Sequence, residues 1–193
     1  ARTVHAFLDL HHKRKRGLGS HSTRQETAHL AASTAAYSIQ AGHRVSFHAR
    51  GDQYYYLPPR GGDQQLYSLL ELLVDVRQEG DTPLDELLTE ELPEIDDQAT
   101  VILIIPTTRL DPQKYVRSLS VLQGRRASIV VLLIDDRGMV RFDGTAEEYE
   151  REWTVNELKN SFLAQGAWCR IIDPEQSLTA QFPPKESWVQ LED

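Results

Sequence analysis

One aspartate, two histidines and four cations crowd into Phe7-Leu8-Asp9-Leu10-His11-His12-Lys13-Arg14-Lys15-Arg16. Imidazole and carboxylate groups ligate transition metals, and clustered cations hold carboxylates or phosphates. Adjacent residues on an extended segment point in opposite directions, so His11 and His12 form a poor chelating pair. The cations of Lys13, Arg14, Lys15 and Arg16 would also repel a dication. A metal-assisted hydrolase using Asp9, His11 and His12 is the rival reading. A basic loop facing water, or holding the anionic group of a partner, fits the residue types better.

Other sequence patterns carry less chemistry. Gly17-Leu18-Gly19-Ser20-His21-Ser22 supplies two glycines of a dinucleotide loop, but Ser22 stands where the third belongs. No GxxxxGK[ST] phosphate loop and no GxSxG nucleophile elbow occurs. Cys169 is the single cysteine; it lies inside an apolar strand pattern and cannot form an internal disulfide. The stretch Asp85 to Asp97 holds seven acidic residues and reads as a solvated helix face with the loop after it.

The elements that must position the opening loop alternate along the chain. Val4 to Leu10 reads as a strand, and Ser22 to Gln25 has capping-box spacing before an Ala-rich helix that Gly42 ends. Val45 to His48 and Tyr54 to Leu57 flank Gly51-Asp52 as a hairpin. Asp63 opens a leucine-faced helix, and Thr82 is placed to cap the helix that Pro83 begins. Thr100 to Ile105 and Ser128 to Ile134 are continuous apolar runs, as expected of strands covered on both faces. A helix from Asp111-Pro112 to Gly124 lies between them. Thr154 to Glu157 is a second capping box, with Trp153 and Leu158 spaced as a hydrophobic staple. Gly166 ends that helix, and Trp168 to Ile172 is the last strand. This order predicts a three-layer α/β fold: a mainly parallel sheet, helices on both faces and an antiparallel edge hairpin. The domain is expected to span residues 1–172, with an irregular tail over 173–193. In such folds ligands meet the carboxyl ends of the strands where the order reverses, and the opening loop sits at such an end.

Composition sets outer bounds. The chain has 193 residues and a net charge of −8, which argues against a general nucleic-acid binder. Residues 1–60 hold nine Lys/Arg against three Asp/Glu, and the rest holds twelve against twenty-six. All seven histidines precede residue 49. No apolar run approaches a membrane span. Strand-like sequence begins almost at Ala1, as expected of a piece of a longer protein.

Several segments together resemble a known family. They are FLDL (7–10), TAHLAASTAAYSIQAGHRVSF (27–47), LPPRGGDQQLYSLLELL (57–73), TPLDELL (82–88) and TVILII (100–105). The element order is similar to that of von Willebrand factor A domains. More closely, the first half resembles a bacterial family of unknown function whose genes often neighbour MoxR-type AAA+ ATPases; the later half matches in element order alone. The family's signature Pro-Gly-Asp, followed downstream by a tryptophan, would lie before Ala1. The resemblance implies a site at the end of the first strand where metal-binding A domains carry DxSxS, a threonine and a further aspartate. Asp9 matches the first aspartate, but His11 and Lys13 occupy the serine positions. Thr82 falls where the threonine would lie, and Pro106, Thr107 and Thr108 follow TVILII with no aspartate.

The expectation is a degenerate site that holds neither metal nor cofactor, with a lysine ammonium beside Asp9 in the metal's electrostatic place. Asp135 and Asp136 are the residues that would rescue metal binding. The crevice mouth, His11 to Arg16, is expected to be a protein-contact surface. The resemblance then implies a non-enzymatic interaction domain, cytoplasmic and tethered to the inner membrane through segments outside this chain. It would act with a MoxR-type AAA+ ATPase in assembly or maturation of other proteins. A structural domain serving self-association is the other alternative.

Overall fold

Strand β1 (Thr3–Leu8) is buried along its whole length and forms the centre of the sheet. The computed structural model describes residues 1–139 and 153–176. From β1 the chain turns through a short ribbon, β2 (Gly17–Leu18) and β3 (His21–Ser22), into helix α1 (Thr23–Gln40). Ser22 caps α1 by accepting from the Gln25 amide at 3.2 Å, as its spacing predicts. Gly42 leaves the helix at φ +87°, a backbone angle that side-chain-bearing residues rarely adopt.

Strand β4 (Arg44–Arg50) returns parallel to β1, and β5 (Tyr54–Arg60) pairs antiparallel with β4 as the edge hairpin. Helices α2 (Gly62–Asp75) and α3 (Leu84–Glu91) lead to β6 (Thr100–Pro106), which pairs parallel on the other side of β1. A 3₁₀ turn (Pro112–Tyr115) and α4 (Val116–Gly124) precede β7 (Ser128–Ile134). Helix α5 (Val155–Ala164) leads to β8 (Trp168–Ile172). The sheet order is β5-β4-β1-β6-β7-β8, with every pairing parallel except β4–β5.

Strand periodicity divides the core in two. Val4, Ala6, Leu8, Ile102 and Ile104 face α1 and α2, where Leu30, Ala31, Ala35, Leu69 and Leu73 meet them. Phe7, Val101, Leu103, Ile105, Val131 and Leu133 face α3, α4 and α5 through Leu84, Leu87, Leu119, Leu122, Leu158 and Phe162. Burial on both faces explains the unbroken apolar runs of β6 and β7, because neither face of those strands is left for water. The three-layer α/β expectation is met.

Local expectations differ in two places. Pro83, not Thr82, holds the N-cap position of α3, and no side chain caps that helix. The helix expected from Asp111 begins as a 3₁₀ turn, with the Asp111 carboxylate accepting from the Gln113 amide at 3.0 Å. The Thr154 box forms with both of its bonds. Most of the tail expected over 173–193, from residue 177 onward, lies outside the described residues.

Candidate functional site

The chain leaves β1 towards β4 on one side and returns to β6 on the other, so the order reverses between β1 and β6. Three loops meet at the carboxyl ends of adjacent strands there. Asp9 follows β1, Thr107 and Thr108 follow β6, and Asp135 and Asp136 follow β7. Asp9 and Asp136 are fully buried, and Thr107 and Thr108 nearly so. Two buried carboxylates at a sheet switch point demand compensation, since an isolated buried charge is strongly disfavoured.

That compensation comes from two arginines of the opening loop. The backbone turns back on itself at His12–Arg14, where the Arg14 amide donates to the His11 carbonyl at 3.0 Å. This places the Arg14 guanidinium in direct contact with Asp9, Nε against Oδ2, both side chains buried. Arg14 also donates to the Thr108 carbonyl at 2.9 Å. Two residues further on, Arg16 donates to the Thr108 hydroxyl at 3.2 Å and lies 3.7 Å from Asp136 Oδ1. Asp136 is then completed by the Thr107 hydroxyl at 2.9 Å, the Thr108 amide at 3.1 Å and the Thr108 hydroxyl at 2.5 Å. Thr108 thus joins the two ion pairs. Burial works against the charge on Arg14, but Asp9, with Tyr115 and Asp85 beside it, more than offsets it and the pKa is raised. Tyr115, buried beside this pair, has its phenol pKa pushed well up by burial and by Asp9.

The donor set does not fit a divalent cation. Asp9 Oδ1 accepts from the His11 amide at 3.1 Å, and Oδ2 meets Arg14. Both Asp136 oxygens are engaged by Thr107 and Thr108, with Arg16 alongside. Two guanidinium groups therefore stand where positive charge is required, and a dication placed against Asp9 would face that of Arg14 at contact distance.

The positions read from the sequence divide between interior and surface. Arg14 and Arg16 are 5% and 3% exposed, whereas Lys13 and Lys15 point outward. The lysine expected beside Asp9 is therefore replaced by Arg14, because the turn at His12–Arg14 swings position 14 inward. His11 is half-buried, and burial lowers its pKa against the opposing pull of Asp9. The His11 and His12 rings lie 4.9 Å apart, with His12 Nε2 3.7 Å from Asp81. Lys15 Nζ is 3.9 Å from Glu79. Thr82 is half-buried just ahead of α3, Thr107 bonds Asp136, and Asp135 pairs with Arg137 rather than facing Asp9.

Thr108 and Gln78 went unrecognised in the sequence. Gln78 is buried against α1, its Oε1 accepting from the Thr23 hydroxyl at 2.6 Å. The loop is pinned from the same side: Gly80 exchanges bonds with Leu10 and His12 at 3.0 and 2.9 Å.

The family described as "Protein of unknown function DUF58" matches residues 1–153. The chain belongs to that family. Among solved structures it is similar to the conserved hypothetical protein BatB from Bacteroides thetaiotaomicron. The identity is 13%, 94% of each chain is covered and the TM-score is 0.65. An aerotolerance-related membrane protein from Bacteroides fragilis NCTC 9343 gives 13% identity, covering 94% of this chain and 95% of that one, with a TM-score of 0.58. Manganese-loaded TRAP protein from Plasmodium vivax gives 14% identity, 89% and 68% coverage and a TM-score of 0.51. At these identities the likeness is one of fold, and that fold is von Willebrand factor A-like. No curated protein matches the chain.

Proposed function

We propose that this DUF58 chain is a non-enzymatic protein-interaction domain that works alongside a MoxR-type AAA+ ATPase in assembly or maturation of other proteins. The observation that carries the reading is the pair of arginines seated on Asp9 and Asp136 at the sheet switch point. They fill the crevice with internal ion pairs and turn Lys13 and Lys15 outward as a basic rim. A rim of exposed cations over a rigid floor suits capture of an acidic surface, since complementary charge steers association. The domain acts at the cytoplasmic face of the inner membrane, tethered by segments outside this chain. The description of one structural neighbour as a membrane protein supports that setting. Among the described residues, no helix is long and apolar enough to cross a membrane.

Pull-down of the MoxR-type ATPase encoded in the same genome tests the reading. Lys13→Glu combined with Lys15→Glu should reduce capture at least tenfold while the circular dichroism spectrum is unchanged. Equal capture by that variant and the parent chain would count against it. Charge reversal at Arg14 would report on folding instead, because that side chain is buried on Asp9.

A further inference from the structure

A cavity of about 240 Å³ opens beside the β2–β3 ribbon at the start of α1, lined by Lys15, Arg16, Gly17, Arg24 and Gln78. Three independent features of its wall favour negative charge. Gln78 is 2% exposed; its Oε1 is held by Thr23, and its buried Nε2 has no hydrogen-bond partner. A buried donor left without an acceptor is unfavourable, so the amide gains by turning Nε2 towards an acceptor that enters the cavity. Arg24 donates to the carbonyls of Val76 at 2.7 Å and Val74 at 2.9 Å. Neutral acceptors fix that guanidinium in place without cancelling its charge. The third feature is the eighteen-residue helix α1, whose positive dipole end begins at Thr23. Gly17 has φ +82°, and a Cβ there would lie 2.0 Å from the His21 carbonyl, so the ribbon closes tightly at this wall. Arg16 directs its guanidinium to Thr108 and Asp136 and contributes wall rather than binding group. Among the described residues Glu79 stands 3.9 Å from Lys15.

We infer that this cavity is an oxyanion site receiving a carboxylate from an acidic segment of the partner protein. Gln78 Nε2, Arg24 and Lys15 supply the donors. The inference rests on the proposed function and gives that contact its chemistry. Leu18, 61% exposed at the ribbon's edge, favours a peptide carboxylate over a lone ion, because it offers apolar surface to the aliphatic part of a glutamate.

The experiment is an amide-resolved NMR titration of the chain with an acetylated, amidated hexaglutamate peptide, and separately with inorganic phosphate at matched ionic strength. Saturable shifts are expected at Gly17, Gly19 and the Gln78 side-chain amide. Affinity should fall at least tenfold in both Arg24→Gln and Gln78→Leu. Signal dispersion checks that each variant is folded; if Gln78→Leu is not, Arg24→Gln decides alone. Shifts that fail to saturate, that persist in the folded variants, or that appear with phosphate but not with the peptide overturn the inference. Peptide binding at the cavity without any ATPase capture supports the site and removes the ATPase reading. ATPase capture that survives both variants removes the site's role and leaves the broader reading standing.

Discussion

Arg14 Nε rests directly against Asp9 Oδ2, with the aspartate fully buried and the arginine side chain nearly so. The pair ties the end of β1 to the loop that follows it, and Thr108 extends the tie to β6 and β7. A buried ion pair adds little over an apolar pair of equal volume, but breaking one side strands the other charge.

Arg14→Ala should therefore destabilise the chain by about 3–5 kcal/mol, read as a lowered urea midpoint. Asp9→Asn added to Arg14→Met should recover a large part of that loss. If the double variant is no more stable than Arg14→Ala, the loss is one of packing and not of stranded charge.

Asp136→Ala should behave in the same way from the other side, costing about 3–5 kcal/mol by leaving Arg16 without its carboxylate. Thr108→Val should cost less, on the order of 1–3 kcal/mol, because it removes the hydroxyl but keeps the Thr108 carbonyl that holds Arg14. Equal losses in the two variants would show that the Asp136 carboxylate adds nothing beyond the Thr108 hydroxyl.

Much of this architecture could be read from the sequence, and the reason is physical. Thr100 to Ile105 and Ser128 to Ile134 are strands covered on both faces, so their burial is written in continuous apolar residues. The Thr154 box and the Gly42 and Gly166 stops depend on neighbours a few residues away. The site was legible only in outline. Asp9 stood out by its place after β1, but Lys13, Arg14, Lys15 and Arg16 carry equal charge in sequence. Their alternation was the available signal: lysines outward, arginines inward, as suits a planar guanidinium that can bond several acceptors. Asp136 and Gln78 could not be paired with Arg16 and Thr23 in advance, because those contacts exist only once the sheet has assembled.

Gly80→Ala should loosen the opening loop. A Cβ at this position would lie 2.2 Å from the Arg50 carbonyl, and the residue bonds both Leu10 and His12. A loss of about 1–3 kcal/mol is expected, with faster amide exchange at His12 than in the parent chain. Unchanged exchange there would show that the loop does not depend on Gly80.

Acid sensitivity should come from two buried histidines shared by β1 and β4. His5 Nδ1 lies 3.1 Å from His48 Nε2, and His48 stacks on Phe7 at 4.3 Å. Burial lowers the His5 pKa to about 4 against the pull of Asp96, and burial with the neighbouring His5 lowers His48 to about 3. Glu91, 3.8 Å from His48 Nδ1, is too distant for a hydrogen bond and does not reverse that direction. The unfolded chain takes up these protons first, near pH 6.5, so stability is full above that value. Below that value it falls by up to about 1.4 kcal/mol per pH unit for each histidine, and the loss levels off once the folded chain is protonated too, at about 4 for His5 and about 3 for His48. Urea midpoints at about pH 7.5 and about pH 5.5, a window above most carboxylate titration, should differ in the parent chain. The difference should be much smaller in His5→Leu/His48→Leu, and an equal difference in both would exclude this source.

The most direct test of the switch-point assignment is a manganese titration followed by electron paramagnetic resonance, comparing the parent chain with Asp9→Asn. Guanidinium groups already neutralise Asp9 and Asp136, so both proteins should leave added Mn²⁺ free in solution. Micromolar Mn²⁺ uptake by the parent chain that disappears in Asp9→Asn would mean that the arginines yield to a metal.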